Sequence, residues 1–313
     1  MQRRQFIKAS ITSTLGGYLL PAGAFAGSTV ANSQVKTPII DTHMHLWDLE
    51  KLDYPWLEGR ETPISHNFLV TDYHQATEGC GIRKMVFVEC GRAPEQYLEE
   101  VDWVMRLAQD EPRIQGIVAY FPIEKGARAL PELEELTSRS LVKGIRHGVN
   151  ADLLEDADFI KGVQLLAKHE LSFDLNISSD LMPEAIRFIQ QCPDTQFILD
   201  HMGNPRIKDQ ELNTWTSQMQ ELAKLENVCC KVSGIITKAD PDHWKPDDLR
   251  PYVMTALETF GADRVMFGGD WPVVLLAGSY QDWLTALQDI TEALSPSEKK
   301  RLFYANAEKI YRL

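Results

Sequence analysis

The chain has 313 residues, 32 basic and 45 acidic, and a formal net charge of −13. Such a surface repels nucleic acid, and no basic stripe reverses the sign. The length suits one large α/β barrel or two smaller domains.

In chain order, residues 1–26 read as an export signal. Arg3-Arg4 is followed by Gln5-Phe6-Ile7-Lys8, a mildly apolar run from Ala9 to Leu20, and the small-x-small exit Ala24-Phe25-Ala26. The paired arginines point to the twin-arginine export machinery, and hence to a periplasmic protein. The apolar run is too short and too interrupted by Ser, Thr, Gly and Pro to span a bilayer. No later segment is apolar enough to do so, and no membrane contact is expected after cleavage. Residues 27–36 form a short tail, and 37–313 form the folded domain.

Short β-rich runs then recur at 38–47, 84–90, 114–120, 141–147, 171–177, 196–203, 228–234 and 264–272. Between them lie stretches of helical period. In 94–110 the apolar positions Leu98, Val101, Val104, Met105 and Ala108 share one face. Strands that are nearly all apolar and alternate with helices indicate a parallel sheet covered on both faces. Eight such units in this length predict a closed (β/α)8 barrel of the α/β class. The longest connection without helical period, 48–70, follows the first strand. Its Tyr54, Trp56 and Leu57 argue that it is ordered and functional. The five cysteines cannot all pair, and their spacing matches no zinc knuckle. They read as buried, unpaired thiols.

Barrel enzymes carry their sites at the C-terminal ends of the strands. Here those ends collect polar groups: His43 and His45, Glu89, Arg146 and His147, Asp174 and Asn176, Asp200 and His201, and Asp270. Buried charges are expensive unless paired or coordinated, so the ring reads as an active site. Each member has a plainer alternative. His43 and His45 could be satisfied core histidines. Glu89 could serve only as ion-pair partner to Arg146, and Asp174 could bond a neighbouring strand end. Asp200 precedes His201 on the strand, so it is expected to point away from the site and to be structural. Lys231, inside the seventh strand, has no clear reading. His74, His169 and His243 are expected to face solvent, and His66 lies in a loop that could fold over the site.

The blocks "DTHMHLW", "YPWL", "GIRH", "FDLNI", "LDHMGNP" and "FGGDWP" resemble the amidohydrolase superfamily, and within it the branch of sugar-acid and pyrone-dicarboxylate lactonases. The resemblance covers about residues 37–313 and implies a distorted (β/α)8 barrel. By position, His43 and His45 match the first-strand pair, His201 the sixth-strand histidine and Asp270 the eighth-strand aspartate. The strand-four bridging ligand and the strand-five histidine of the dinuclear members are absent. Arg146-His147 and Asp174-Leu175-Asn176 stand there instead. The resemblance therefore implies at most one divalent ion, zinc or similar, held by His43, His45, His201 and Asp270, or catalysis without metal.

The implied reaction is hydrolysis of a sugar-acid lactone, an aldonolactone such as L-fucono- or L-rhamnonolactone. Asp270 would take a proton from the attacking water. His43, His45 and His201 would stabilise the oxyanion, directly or through the ion. Arg146 would anchor a substrate carboxylate or hydroxyl with its planar fork, and Tyr54 and Trp56 would offer an apolar platform. His147, Asn176 and Glu89 complete the expected substrate contacts. A metal-dependent non-oxidative decarboxylase of an aromatic or unsaturated acid is the rival enzyme, separable by carbon dioxide release. A periplasmic sugar-acid binding protein is the non-catalytic rival, separable by a turnover assay.

Overall fold

The computed structural model describes residues 38–313; the segments expected to be an export signal and a tail lie outside the described residues. Eight strands follow one another: β1 (Ile39–Met44), β2 (Ile82–Val88), β3 (Ile114–Ala119), β4 (Val142–Arg146), β5 (Ser172–Leu175), β6 (Gln196–Leu199), β7 (Val228–Val232) and β8 (Val265–Phe267). They pair in sequence order, every pair parallel. The predicted barrel is what forms. All eight predicted strands are present, each shorter at its C-terminal end than the apolar run that announced it. The polar residues at those ends have left the ladder and line the space above it.

Helices cover the outside: α1 (Val70–Ala76), α2 (Tyr97–Asp110), α3 (Leu130–Thr137), α4 (Ala151–Glu155), α5 (Ala157–Leu166), α6 (Met182–Gln190), α7 (Asn213–Leu222), α8 (Pro246–Phe260), α9 (Tyr280–Ile290), α10 (Pro296–Lys300) and α11 (Asn306–Tyr311). Their starts are set locally. Asp156 accepts from Phe159 N at 2.8 Å to open α5. Ser279 and Asp282 exchange reciprocal bonds to open α9. In α2, Val101 and Val104 are fully buried, as the period required.

Two apolar clusters result. The larger joins strands to surrounding helices. The smaller holds Val86, Val88, Val118, Ile198, Cys229, Met266 and Tyr311. It gathers residues of β2, β3, β6, β7 and β8 with a tyrosine from the last helix. Cys90, Cys192, Cys229 and Cys230 are buried thiols outside any disulfide.

The ring closes beyond the end of β8. Met44 bridges Trp271 in parallel, Asp270 N donates to His43 O at 2.7 Å, and His45 N donates to Trp271 O at 2.7 Å. The same bonds that close the barrel thus set Asp270 beside the β1 histidines. The connection predicted over 48–70 is without helix up to residue 69, where α1 begins at Val70. Trp47 and Phe68 bridge across it, Trp47 Nε1 donates to His66 O at 2.7 Å, and Tyr54, Leu57 and Ile64 are buried beneath it.

Candidate active site

A cavity of about 510 Å³ opens at the C-terminal ends of the strands, within the usual size of small-molecule sites. His45, Trp56, Glu89, Arg146, Asn176, His201 and Asp270 line it. His43 lies just behind them, fully buried, with Nε2 3.6 Å from Asp270 Oδ1. His45 Nε2 is 3.5 Å from the same oxygen. The other carboxylate oxygen, Oδ2, faces His201 Nδ1 at 4.0 Å. Trp56 is fixed by an Nε1 bond to Cys90 O at 2.7 Å and by edge contact with Trp47.

Asp270 and His201 are both held in the left-handed region, with φ of 55° and 51°. Non-glycine residues there store strain, which concentrates at functional sites. Gly234, with φ of 66°, leaves room for both: a Cβ at that position would collide with Asp270 Oδ2 and reach His201 Nδ1 at 2.6 Å.

The hydrogen-bond partners assign the imidazoles. His45 Nδ1 lies 2.8 Å from Val88 O, which can only accept, so Nδ1 carries the proton and Nε2 presents a lone pair. Each His43 nitrogen meets one cationic donor at 3.4 Å, Arg146 Nη1 at Nε2 and Lys231 Nζ at Nδ1. Lys231 has nearer acceptors in Asp174 and Asp200, so Nε2 is assigned as the acceptor. Two imidazole lone pairs and a carboxylate oxygen therefore converge with no proton of their own between them. Such a donor set fits one divalent cation. His43, Asp200 and His201 form a second possible group. Lys231 Nζ stands 3.0 Å from Asp200 Oδ1, and that fixed ammonium repels a cation placed there.

Burial drives the His43 and His201 imidazoles below their ordinary pKa, His43 far below. Both are neutral at neutral pH. For Asp270 burial works against ionisation, and positive charge on the facing His201 and His43, neutral at pH 7 but protonated in acid, works for it, so the carboxyl stays below its ordinary range. Burial likewise opposes ionised Glu89; Arg146 and Arg92 reverse it.

Several expectations are corrected. Tyr54 is 3% exposed within the apolar core and does not line the cavity. The loop carries Tyr54 inward and turns Trp56 to the cavity, which Trp47 also lines. His147 also lies off the cavity: it stacks on Tyr120 at 5.1 Å and pairs with Glu124 at 3.2 Å. Arg146 lines the cavity, but most of its fork is already used. Nε donates to Glu89 Oε1 at 2.8 Å, and Nη2 donates to Glu89 O. Asp200 does not point away from the site. The chain leaves extended geometry after Leu199 and turns left-handed at His201, so strand alternation no longer separates neighbours, and Asp200 Oδ1 comes within 3.4 Å of His43 Nδ1. Asp174 bonds Lys231 deep in the barrel. Asn176 reaches the cavity wall, where Asn204 Nδ2 donates to it at 2.8 Å. His74, His66 and His243 are exposed and His169 is half-buried, all away from the cavity.

Sequence reasoning missed Lys238 and Asn204 in the cavity wall and Ser233, whose hydroxyl lies 3.0 Å from His201 Nδ1. The "GNP" turn after His201 was the available signal for Asn204. It has φ of 49°, a conformation that asparagine tolerates.

Residues 40–313 match the amidohydrolase family. The chain belongs to that family. It is 31% identical over 297 residues to an L-fucono-1,5-lactonase of Burkholderia multivorans, covering 88% of this chain and 96% of the relative. An L-rhamnono-gamma-lactonase of Scheffersomyces stipitis is 21% identical over 336 residues, covering 89% and 99%. Among solved structures, an amidohydrolase of Burkholderia multivorans crystallised with bound zinc superposes with a TM-score of 0.80 at 28% identity. It covers 88% of this chain and 99% of that one.

Proposed function

We propose that this amidohydrolase opens the ester ring of a sugar-acid lactone. The observation that carries the reading is the convergence of Asp270 on His43, His45 and His201 at a cavity of about 510 Å³. The relatives named as L-fucono- and L-rhamnono-lactonases support the substrate class.

The two oxygens of Asp270 divide the work. Oδ1 faces the imidazole lone pairs of His43 and His45; these three groups would hold one divalent ion, zinc being consistent with the zinc-bound relative. When bound, that ion supplies polarisation of the ester carbonyl. Oδ2 faces His201 across the cavity side and accepts the proton of the attacking water. The proton taken by Asp270 then returns to the departing alkoxide through His201, whose Nδ1 faces Oδ2 and is held by Ser233 at 3.0 Å, so both side chains end as they began. Arg146, tied to Glu89, offers its remaining Nη1 hydrogens to developing negative charge. Trp56 supplies an apolar wall for a sugar face, and Asn176 and Asn204 suit its hydroxyls.

The test is a proton-release assay of the purified protein against a panel of aldonolactones and aromatic lactones. Turnover of an aldonolactone is expected. Carbon dioxide release from an aromatic acid, with no lactone turned over, would replace this reading by decarboxylation. We also propose twin-arginine export on the strength of Arg3-Arg4 and Ala24-Phe25-Ala26. Changing both arginines to lysine should leave uncleaved protein in the cytoplasm, and full periplasmic processing of that variant would refute it.

A further inference from the structure

Beneath the cavity, a file of buried polar groups runs from the chain terminus to His43. Tyr311, at the end of α11, is fully buried among Val86, Val88, Val118, Ile198, Cys229 and Met266. Its hydroxyl donates to Asp174 Oδ2 at 2.5 Å. Lys231 Nζ donates to the same oxygen at 2.6 Å and lies 3.0 Å from Asp200 Oδ1. Asp200 Oδ1 is 3.4 Å from His43 Nδ1. Ser172 Oγ completes Asp174 at 2.8 Å. Asp174, Asp200, Lys231, His43 and Tyr311 are each 0% exposed.

These groups come from β5, β7, the turn after β6, β1 and the last helix, so no local motif requires them. Gly144 on β4 makes room, since a Cβ there would strike Ser172 Oγ and lie 3.1 Å from Asp174 Oδ1. The terminal turn is itself anchored: Lys84 Nζ donates to Leu313 O at 3.1 Å and to Glu308 Oε1 at 2.7 Å. A buried network of this kind is costly unless fully partnered. Apolar side chains would fill the same volume without that cost, so its placement directly behind a site histidine calls for a reason.

We propose that Lys231 is a positioning residue for the reaction and that Tyr311 seats it from the barrel floor. The ammonium fixes Asp200, Asp200 takes the Nδ1 hydrogen of His43, and the His43 Nε2 lone pair is thereby aimed at Asp270 and the cavity. Nδ1 has two neighbours at 3.4 Å, the acceptor Asp200 Oδ1 and the donor Lys231 Nζ. The ammonium has nearer acceptors in Asp174 at 2.6 Å and Asp200 at 3.0 Å, and Arg146 Nη1 asks Nε2 to accept, so the Nδ1 hydrogen is assigned to Asp200. Tyr311 matters because Lys231 has two carboxylates to choose between. The phenol hydrogen bond holds Asp174 at a fixed depth, and the ammonium is then placed between Asp174 and Asp200. The inference rests on His43 being part of the site, as in the proposed function, but not on which substrate is used.

The test combines ¹⁵N-histidine NMR with steady-state kinetics on the full-length protein as purified, the His43 signal being assigned with His43→Gln. Wild-type His43 is expected as one neutral tautomer with the proton on Nδ1. Tyr311→Phe keeps the ring in the floor and every formal charge, so it should fold. It should turn the His43 signal into a mixture and lower kcat by about 10-fold, the low end for groups that orient a site imidazole, with KM within about twofold. Lys231→Met should give the same changes more strongly wherever it remains folded. A wild-type His43 with its proton on Nε2 would overturn the proposal. So would Tyr311→Phe with an unchanged His43 signal or undiminished kcat, even if its melting temperature fell. If His43 behaves as expected but no lactone is turned over by the wild type, the lactonase reading fails and the positioning role stands.

Discussion

Two carboxylates approach His43 from opposite sides, Asp200 at 3.4 Å from Nδ1 and Asp270 at 3.6 Å from Nε2. Both are buried and both belong to residues just past the end of a strand. They differ in what else they meet. Asp200 lies against a fixed ammonium, Lys231, and is held ionised far below its ordinary pKa in spite of its burial. Asp270 meets imidazole edges and an open cavity. The lower half of the barrel interior thus sets one buried ammonium between two carboxylates, with phenol and hydroxyl donors on Asp174. The upper half is left open, with lone pairs facing one another. A matched buried charge holds geometry, whereas an unmatched one is available for chemistry.

Removing the match below should therefore harm the fold, and the largest expected effect comes from Lys231→Met. It leaves Asp174 and Asp200 buried without their cation, and breaking a buried pair in this way costs about 3–5 kcal/mol. Urea unfolding at pH 7 measures it. A loss under about 1 kcal/mol would mean that the lower half is not the matched network described here.

An intermediate effect is expected at the border between the halves. Gly234→Ala puts a methyl against Asp270 and His201 at a φ of 66°. Left-handed strain costs on the order of 1–3 kcal/mol, and Asp270 must also move. Stability and kcat should both fall, and the pair of urea and rate measurements checks it. Normal activity in a folded Gly234→Ala variant would show that the Asp270 position tolerates displacement.

A pH-dependent effect probes a buried carboxylate that is incompletely matched. Glu100 is fully buried and its pKa is pushed up to about 7, by burial first, with Glu89 adding to it and Arg92 opposing. Between the ordinary value of 4.5 and about 7 the folded protein keeps a proton that the unfolded chain has released. This contribution to stability is therefore lost as pH rises through that window, and it levels off above it. Glu100→Gln removes the titration, so the variant should gain on the wild type between pH 5 and pH 8. Equal urea-midpoint differences at the two pH values would contradict the assignment.

Much of this was legible in the sequence, for reasons that differ between the halves. The strands could be read because each is buried on both faces and so is apolar nearly throughout. His43, His45, His201 and Asp270 stood out as polar residues interrupting those runs at one end. Asp200 was misplaced because alternation was applied past Leu199, where the strand has ended and the chain turns left-handed at the following His201. Tyr54 and Trp56 are two residues apart in an irregular loop, where no period says which one faces the site. The file from Tyr311 to Lys231 was invisible for another reason. Tyr311 is 137 positions from its partner Asp174, and nothing in a six-residue terminal helix announces that its tyrosine enters a barrel. The one available clue was Lys231 itself, a cation in an otherwise apolar strand, which by its cost demanded acidic partners.

The central claim is that Asp270 is left unmatched because it takes a proton during lactone opening. Asp270→Asn tests it most directly, with kcat on an aldonolactone and the melting temperature measured on the same preparation. The substitution keeps the shape and removes the proton acceptor. General-base help is worth about 10²–10⁴-fold, so kcat should fall at least ~100-fold while the melting temperature holds or rises, as it does when a functional group is a stability cost. A variant that keeps more than about a tenth of the wild-type rate, against the ~100-fold loss expected of a missing base, would contradict the account.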